Sequence, residues 1–300
     1  MGASMKKVGL SVFDFQEKYG DAACFRAARE AGADCVDFDL SAYDVRNVDG
    51  IYARSECEIA DYFLRLRSAA ESENVEIALT HGRCEGPCGD KKSDLALREN
   101  ARLDCFASSL LGAPVCVMHT VSSYRFPNAA AEEMSFYNRE FFCGVLPYAA
   151  EFSVLLATET FGSVGGTDIC EYYGRLENFT RGLREIRESS AFGDRLFVCM
   201  DVGHTHRCAR FGEPSVVRQI ERLGKDIAAV HLHDNHGLED EHRIPGEGTI
   251  AWKEVLNALD SVGFSGVYNL EVSLGRYGDP LTESAGRAVR TMRRLLREIE

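Results

Sequence analysis

The chain has no Cys-x-x-Cys pair, and its 11 cysteines are spread from Cys24 to Cys208, so neither a redox dithiol nor a cysteine-rich zinc finger is spelled out. Most of them read as buried reduced thiols. Cys84 and Cys88 share the loop HGRCEGPCG, yet a structural zinc site wants four close ligands, so both fall outside the site expected here. Long apolar runs are missing too. No stretch reaches the roughly 20 residues of a membrane helix, and MGASMKKVGL lacks the apolar core of a signal peptide. A cytoplasmic protein with no membrane partner is expected. Basic charge is also scarce: at a formal net charge of -13 and a pI near 5.2, the surface offers no general attraction to a nucleic-acid backbone.

No long linker or low-complexity tract divides the 300 residues, and 45% hydrophobic content can supply one large core. Short apolar runs rich in β-branched residues alternate with longer segments of helical period, the pattern of repeated βα units. Eight strands are predicted, at 8–14, 34–40, 76–81, 114–120, 153–159, 196–201, 228–234 and 267–272. Helical stretches include 21–32, 93–112, 168–189 and 283–300, each with apolar residues at i, i+3, i+4 spacing. Gly32-Ala33 and Gly112-Ala113 fall where a helix must stop before a strand, a place that suits the left-handed cap conformation of glycine. The fold expected over 1–300 is therefore α/β, a single-domain (β/α)8 TIM barrel. Whether its outer helices pair two barrels into a homo-oligomer stays open.

In such a barrel the chemistry lies where strands end and βα loops begin. Six of those ends carry His81, His119, Glu159, Asp201, His231 and Glu271, at successive spacings of 38, 40, 42, 30 and 40 residues, about one βα unit each. They return to one rim. All eight histidines fall at predicted strand ends or in the loops that follow, and none in a predicted helix. Imidazole and carboxylate are the ligands of zinc or manganese, with magnesium and cobalt as alternatives, so a divalent metal ion is the expected cofactor.

The order His81-Gly, His119, Glu159, Asp201-Val-Gly-His204, His231-Leu-His-Asp, Asp240-Glu-His242-Arg-Ile-Pro-Gly-Glu-Gly248 and Glu271 resembles the xylose-isomerase-like barrel superfamily. That superfamily joins sugar isomerases and epimerases to endonuclease IV. The resemblance implies that Glu159, Asp201, His231 and Glu271 form the metal quartet of the ketose 3-epimerases. It also implies that His81 and His119 match positions holding a second ion in the endonuclease relatives, bridged by the glutamate at Glu159. His204, Asp240 and His242 match the holders of a third. Two departures count against a free ketohexose: the substrate-contacting arginine before the PG turn is His242 here, followed by Arg243, and a glutamate six residues after the first metal glutamate is Gly165. Against DNA repair, GRCEGPCGD after His81 lacks the bulky wedge that would open a duplex.

The function these residues imply is a metal-dependent sugar or sugar-phosphate isomerase or epimerase with a small carbohydrate as its partner. A divalent ion chelated by two neighbouring substrate oxygens acidifies the C–H between them and stabilises the enediolate that follows proton removal. Glu159 and Glu271 would remove and return the proton, Asp201 and His231 would be mainly ligands, and His204 or His242 would orient hydroxyls in the absence of a third ion. The alternatives are an endonuclease IV-like phosphodiesterase, a metal-dependent dehydratase of a sugar or inositol derivative, and a barrel that binds metal without catalysis. His233 is a reserve ligand or supporting residue, and the turn at 245–248 reads as structural. Arg83 and Arg243 are candidates for a phosphate or carboxylate. Phe13, Phe161 and Trp252 are candidates for a sugar-pocket wall, with core packing the commoner role.

Overall fold

A computed structural model describes residues 6–164 and 167–300, so Gly165 lies outside the described residues. Eight parallel strands close into a barrel in sequence order: β1 (Val8–Ser11), β2 (Cys35–Asp39), β3 (Glu76–His81), β4 (Val115–Met118), β5 (Leu155–Glu159), β6 (Leu196–Asp201), β7 (Ile227–Leu232) and β8 (Tyr268–Leu270). Helices α1 (Phe13–Tyr19), α2 (Cys24–Glu30), α3 (Glu56–Ser72), α4 (Lys91–Leu111), α5 (Ala131–Glu151), α6 (Leu176–Ser189), α7 (Val202–Cys208), α8 (Val216–Leu223), α9 (Trp252–Ser261) and α10 (Leu281–Arg297) alternate with them. The expected (β/α)8 barrel is the observed fold.

Alternation along the strands explains how the rim is furnished. Leu79, Val117, Ala157, Cys199 and Ala229 form an apolar layer of buried side chains, and His81, His119, Glu159, Asp201 and His231 each follow one of them by two residues. Because successive strand side chains point to opposite faces, a residue two further along points the same way one step higher. The polar ring therefore rests on an apolar floor. Register fixes its level: Asp39 is the partner of His81, and Asp201 the partner of His231.

Several elements are shorter than expected, β4 ending at Met118 and β8 at Leu270, so that His119 and Glu271 fall just beyond them. Three further differences bear on the site. The first predicted strand, 8–14, ends at Ser11, because Phe13 already opens α1. The predicted helix 168–189 begins only at Leu176, and the preceding residues form the β5–α6 loop, with Glu171 accepting from Ser122 Oγ and Ser123 N at 2.6 Å. Finally, His204 and His206 lie inside a helix, contrary to the expectation that no histidine would. That helix, α7, starts directly at the end of β6, and Asp201 caps it by accepting from His204 N at 2.5 Å. A seven-residue helix has too few periodic positions to show in a sequence pattern. Gly32 and Gly112 do take left-handed φ, +83° and +81°.

The turn at 245–248 is structural, as expected, and Asp234 holds it. Asp234 is buried, its backbone pairs with Arg243, and its carboxylate accepts from Asn235 N, Gly246 N, Ile250 N and the Trp252 indole at 2.7–3.2 Å. Gly248 is needed because a Cβ there would lie 2.3 Å from Asp234 Oδ1. Trp252 is thus a buried structural residue and is not among the residues that line the cavity beside Glu271. Replacing Asp234 by alanine orphans these four donors at once, so Asp234→Ala should lower unfolding stability by more than about 3 kcal/mol in urea titrations. A loss under about 1 kcal/mol would show that the clamp is dispensable.

Candidate metal centre

Glu159 is the hub of the site. It is 1% exposed, and four imidazoles approach it: His231 Nδ1 at 3.1 Å, His81 Nε2 and His119 Nε2 at 3.4 Å on Oε2, and His204 Nδ1 at 3.0 Å on Oε1. His231 Nδ1 is also 3.4 Å from Glu271 Oε2, and donor atoms of Glu159, Asp201, His231 and Glu271 all lie within 4.8 Å of one another. Glu159 Oε2, Glu271 Oε2 and His231 Nδ1 are buried yet lack a hydrogen bond of acceptable geometry. Atoms that crowd without pairing fit a coordination sphere: ligand bonds of about 2.0–2.1 Å put neighbouring tetrahedral ligand atoms about 3.3 Å apart. The quartet can hold a divalent ion.

Two further donor groups flank it. On one side, His81 and His119 are joined by Cys84, whose Sγ is 3.5 Å from His81 Nδ1. Cys84, expected outside the site, thus stands beside two of its histidines, while Cys88 is not in this group. On the other side stand His204, His233, Asp240 and His242. Asp240 spans His204 Nε2 at 3.0 Å and His242 Nε2 at 3.5 Å, and it also meets Arg207 Nη1 at 3.2 Å. The geometry brings together all nine residues singled out from the sequence.

Supporting contacts set the orientation of the imidazoles. His231 Nε2 lies 3.2 Å from Asp37 Oδ2, which accepts from Asn269 Nδ2 at 3.1 Å, so Nδ1 is turned toward the carboxylates. Asp37 and Asn269 lie two residues before the inward positions Asp39 and Glu271, and that alternation was the signal by which the sequence could have exposed them. His233 Nε2 is 3.2 Å from Asp201, and its ring stacks on His242 with centroids 3.7 Å apart. Gly203 makes room for this, since a Cβ there would fall 2.0 Å from His233 Cε1.

The electrostatics run the same way. Burial alone would raise the Glu159 carboxyl, but His119 and His231 hold it well below the usual range. Burial would lower His204 and His231, but neighbouring groups, Asp201 and Asp240 for the former and Cys199, Glu271 and Glu159 for the latter, raise both. His242 loses ground to burial yet, bonded to Asp240 and near Glu271, is raised to about 9. Asp39 is raised by burial and faces the same cavity.

That cavity, about 370 Å³, is lined by Phe13, Asp39, Ser41, His81, His242 and Glu271 among others. Phe13 therefore does wall it, and Phe161 packs edge-on against His119 with centroids 5.0 Å apart. The two arginines have other duties. Arg83 is buried on Asp104 at 2.7 Å and on the carbonyls of Leu40 and Tyr43, and Arg243 pairs with Glu241 at 2.6 Å.

A family model described as Xylose isomerase-like TIM barrel matches residues 25–298, and the chain belongs to that family. It is 29% identical over 189 residues to the uncharacterised protein y4fM of Sinorhizobium fredii, covering 62% of this chain and 55% of that one. It is 31% identical over 108 residues to fructoselysine 3-epimerase of Escherichia coli O157:H7, covering 35% of this chain and 37% of the epimerase. The chain thus spans about half, or less, of the length of these curated relatives. Among solved structures, D-psicose 3-epimerase with D-tagatose from Clostridium cellulolyticum H10 superposes with a TM-score of 0.72 at 13% identity, over 97% of this chain and 99% of that one. At that identity the likeness is one of fold. No helix among the described residues is long and apolar enough to cross a membrane.

Zinc or manganese at about 100 times its dissociation constant should raise the melting temperature of metal-free protein by about 4 °C, an effect lost in His231→Ala. The pH dependence has a definite sign. His242 is raised from 6.5 to about 9 in the folded metal-free protein, so its contribution is complete below 6.5 and fades as pH climbs toward about 9. Metal binding needs the unprotonated imidazole and tightens across that window. Melting curves should therefore show metal-free protein weakening from pH 6.5 to 9 and the metal-dependent gain growing. Parallel curves with and without metal would overturn this.

Proposed function

We propose that the chain is a metal-dependent sugar isomerase or epimerase that shuttles a proton at the carbon beside a carbonyl. The observation that carries this reading is the disposition of two carboxylates about His231 Nδ1: Glu159 from β5, 1% exposed, and Glu271 just beyond β8, lining the cavity. A divalent ion in the quartet would supply charge stabilisation for an oxyanion developing on the substrate. The remaining work belongs to side chains. Glu271 reaches substrate directly and accepts or returns the proton, whereas Glu159 holds the imidazoles together beneath it and can take part only from the floor of the site. Asp39, raised by burial and accepting from Ser41 Oγ at 3.0 Å, faces the same cavity. His242, which lines the cavity beside Glu271, can orient a substrate hydroxyl there. Family membership and the partial likeness to fructoselysine 3-epimerase support a carbohydrate substrate.

One observation favours a second reading. His81 and His119 are as close to Glu159 as trinuclear phosphodiesterase chemistry would require. The net charge of -13 weighs against binding duplex DNA.

Metal-loaded protein in deuterium oxide should place label beside the carbonyl of a ketose, aldose or sugar phosphate, read by NMR with product checked by chromatography. Glu271→Gln should retain metal and lose exchange by at least about 100-fold, while Glu159→Gln should lose both. Cleavage of duplex DNA with an abasic site, abolished in both variants and unaccompanied by exchange into any sugar, would put the phosphodiesterase reading first.

A further inference from the structure

Beside the metal cavity lies a second one of about 430 Å³, and the two share Ser41 and Cys84 as a common wall. Both fall in the range of roughly 300–1,000 Å³ that holds small molecules. A monosaccharide over Glu271 would leave the second chamber unfilled. Its lining has no aromatic ring on which a further pyranose could stack. It is charged with both signs instead. Arg83 and Asp94 are already committed, the first to Asp104 and two carbonyls, the second to the amides of Cys88 and Gly89 at 2.8 and 3.0 Å. Two ion pairs remain at the chamber's walls: Arg46 with Asp44, at 2.9–3.0 Å from Nε, and Arg125 with Glu85, at 3.4 Å. The arginine side chains are 56% and 40% exposed. An exposed single-contact pair such as Arg125–Glu85 is worth about 0–1 kcal/mol and exchanges partners with a ligand at little cost, whereas Arg46–Asp44 is multiply bonded and holds its place as a fixed wall.

We propose that the substrate is a sugar carrying an amino-acid-like substituent, and that the chamber between Arg46–Asp44 and Arg125–Glu85 receives this zwitterion while the sugar sits over Glu271. The inference rests on the sugar reading above. A carboxylate on the ligand meets a guanidinium and its ammonium meets Asp44 or Glu85, so the charge balance of the chamber is preserved. A phosphate would bring negative charge with no cation of its own to offset the two carboxylates.

Cysteines report occupancy without turnover. Cys88 lines the second chamber alone, Cys84 lines both, and Cys57 is exposed on α3 away from either. Metal-loaded protein would be treated with iodoacetamide and the rate at each cysteine followed by mass spectrometry, with D-fructose, fructoselysine, N-fructosylglycine or fructose 6-phosphate present. Fructoselysine or N-fructosylglycine should slow alkylation of Cys88 at least fivefold and leave Cys57 unchanged, whereas D-fructose should leave Cys88 unprotected. The Glu85→Ala/Arg125→Ala variant, its fold checked by thermal melting, should lose protection of Cys88. Unchanged Cys88 alkylation with both conjugates, or better protection by fructose 6-phosphate, overturns the proposal. Protection of Cys88 by the conjugates without deuterium exchange into any sugar would uphold the chamber and remove the isomerase reading. Exchange into free sugars without that protection would do the reverse.

Discussion

A carboxylate buried to 1% exposure under four imidazoles is the constraint around which this barrel is organised. Removing Glu159 from water is costly unless charge and donors are returned to it, and no single βα unit can return them. His81, His119, His204 and His231 come from four different segments, so the compensation exists only when the sheet has closed. Closure and assembly of the site are therefore one thermodynamic event. A divalent ion deepens that coupling, because its ligands are scattered in the unfolded chain and gathered only in the folded one.

What lets the ring form is the layer beneath it. Leu79, Val117, Ala157, Cys199 and Ala229 fill the barrel with side chains of unequal size, and the small ones under Glu159 and His231 allow polar groups to descend toward the axis. Asp37 and Asn269 exploit the same level on the opposite side, where they meet the back of His231. The boundary between dry floor and polar ring is one strand step thick. A shift of one residue in any strand would exchange a ligand for an outward-facing neighbour, which is why register specifies the chemistry here as strongly as it specifies the fold.

Much of this was legible in the chain. Strand ends recurring about every 40 residues with His, Asp or Glu identify both the barrel and its rim, because a closed sheet returns such positions to one circle. Less visible were features whose cause is tertiary. Cys84 reads as an ordinary loop cysteine until β3 and β4 bring His81 and His119 beside it. Arg83 reads as a free cation, but Asp104 on α4 takes it into the interior. Asp37 reads as one more acidic residue in a strand, and only closure against β8 and β7 gives it Asn269 and His231 as neighbours. Helix α7 is too short for periodicity, and its capping aspartate is also a donor of the site, so local and functional roles fall on one residue.

The placement of charge also separates what reacts from what is recognised. The quartet Glu159, Asp201, His231 and Glu271 sits at strand ends, where the closed sheet permits little adjustment. The two exposed ion pairs sit in the loops after β2, β3 and β4, which can change in length or sequence without disturbing strand pairing. Cys84 and Ser41 mark the border between these regions, three residues after His81 and two after Asp39. A ligand crossing that border would touch rigid chemistry at one end and an exchangeable surface pair at the other. Its affinity would then come from the loops, while its reacting carbon would be placed by the barrel itself.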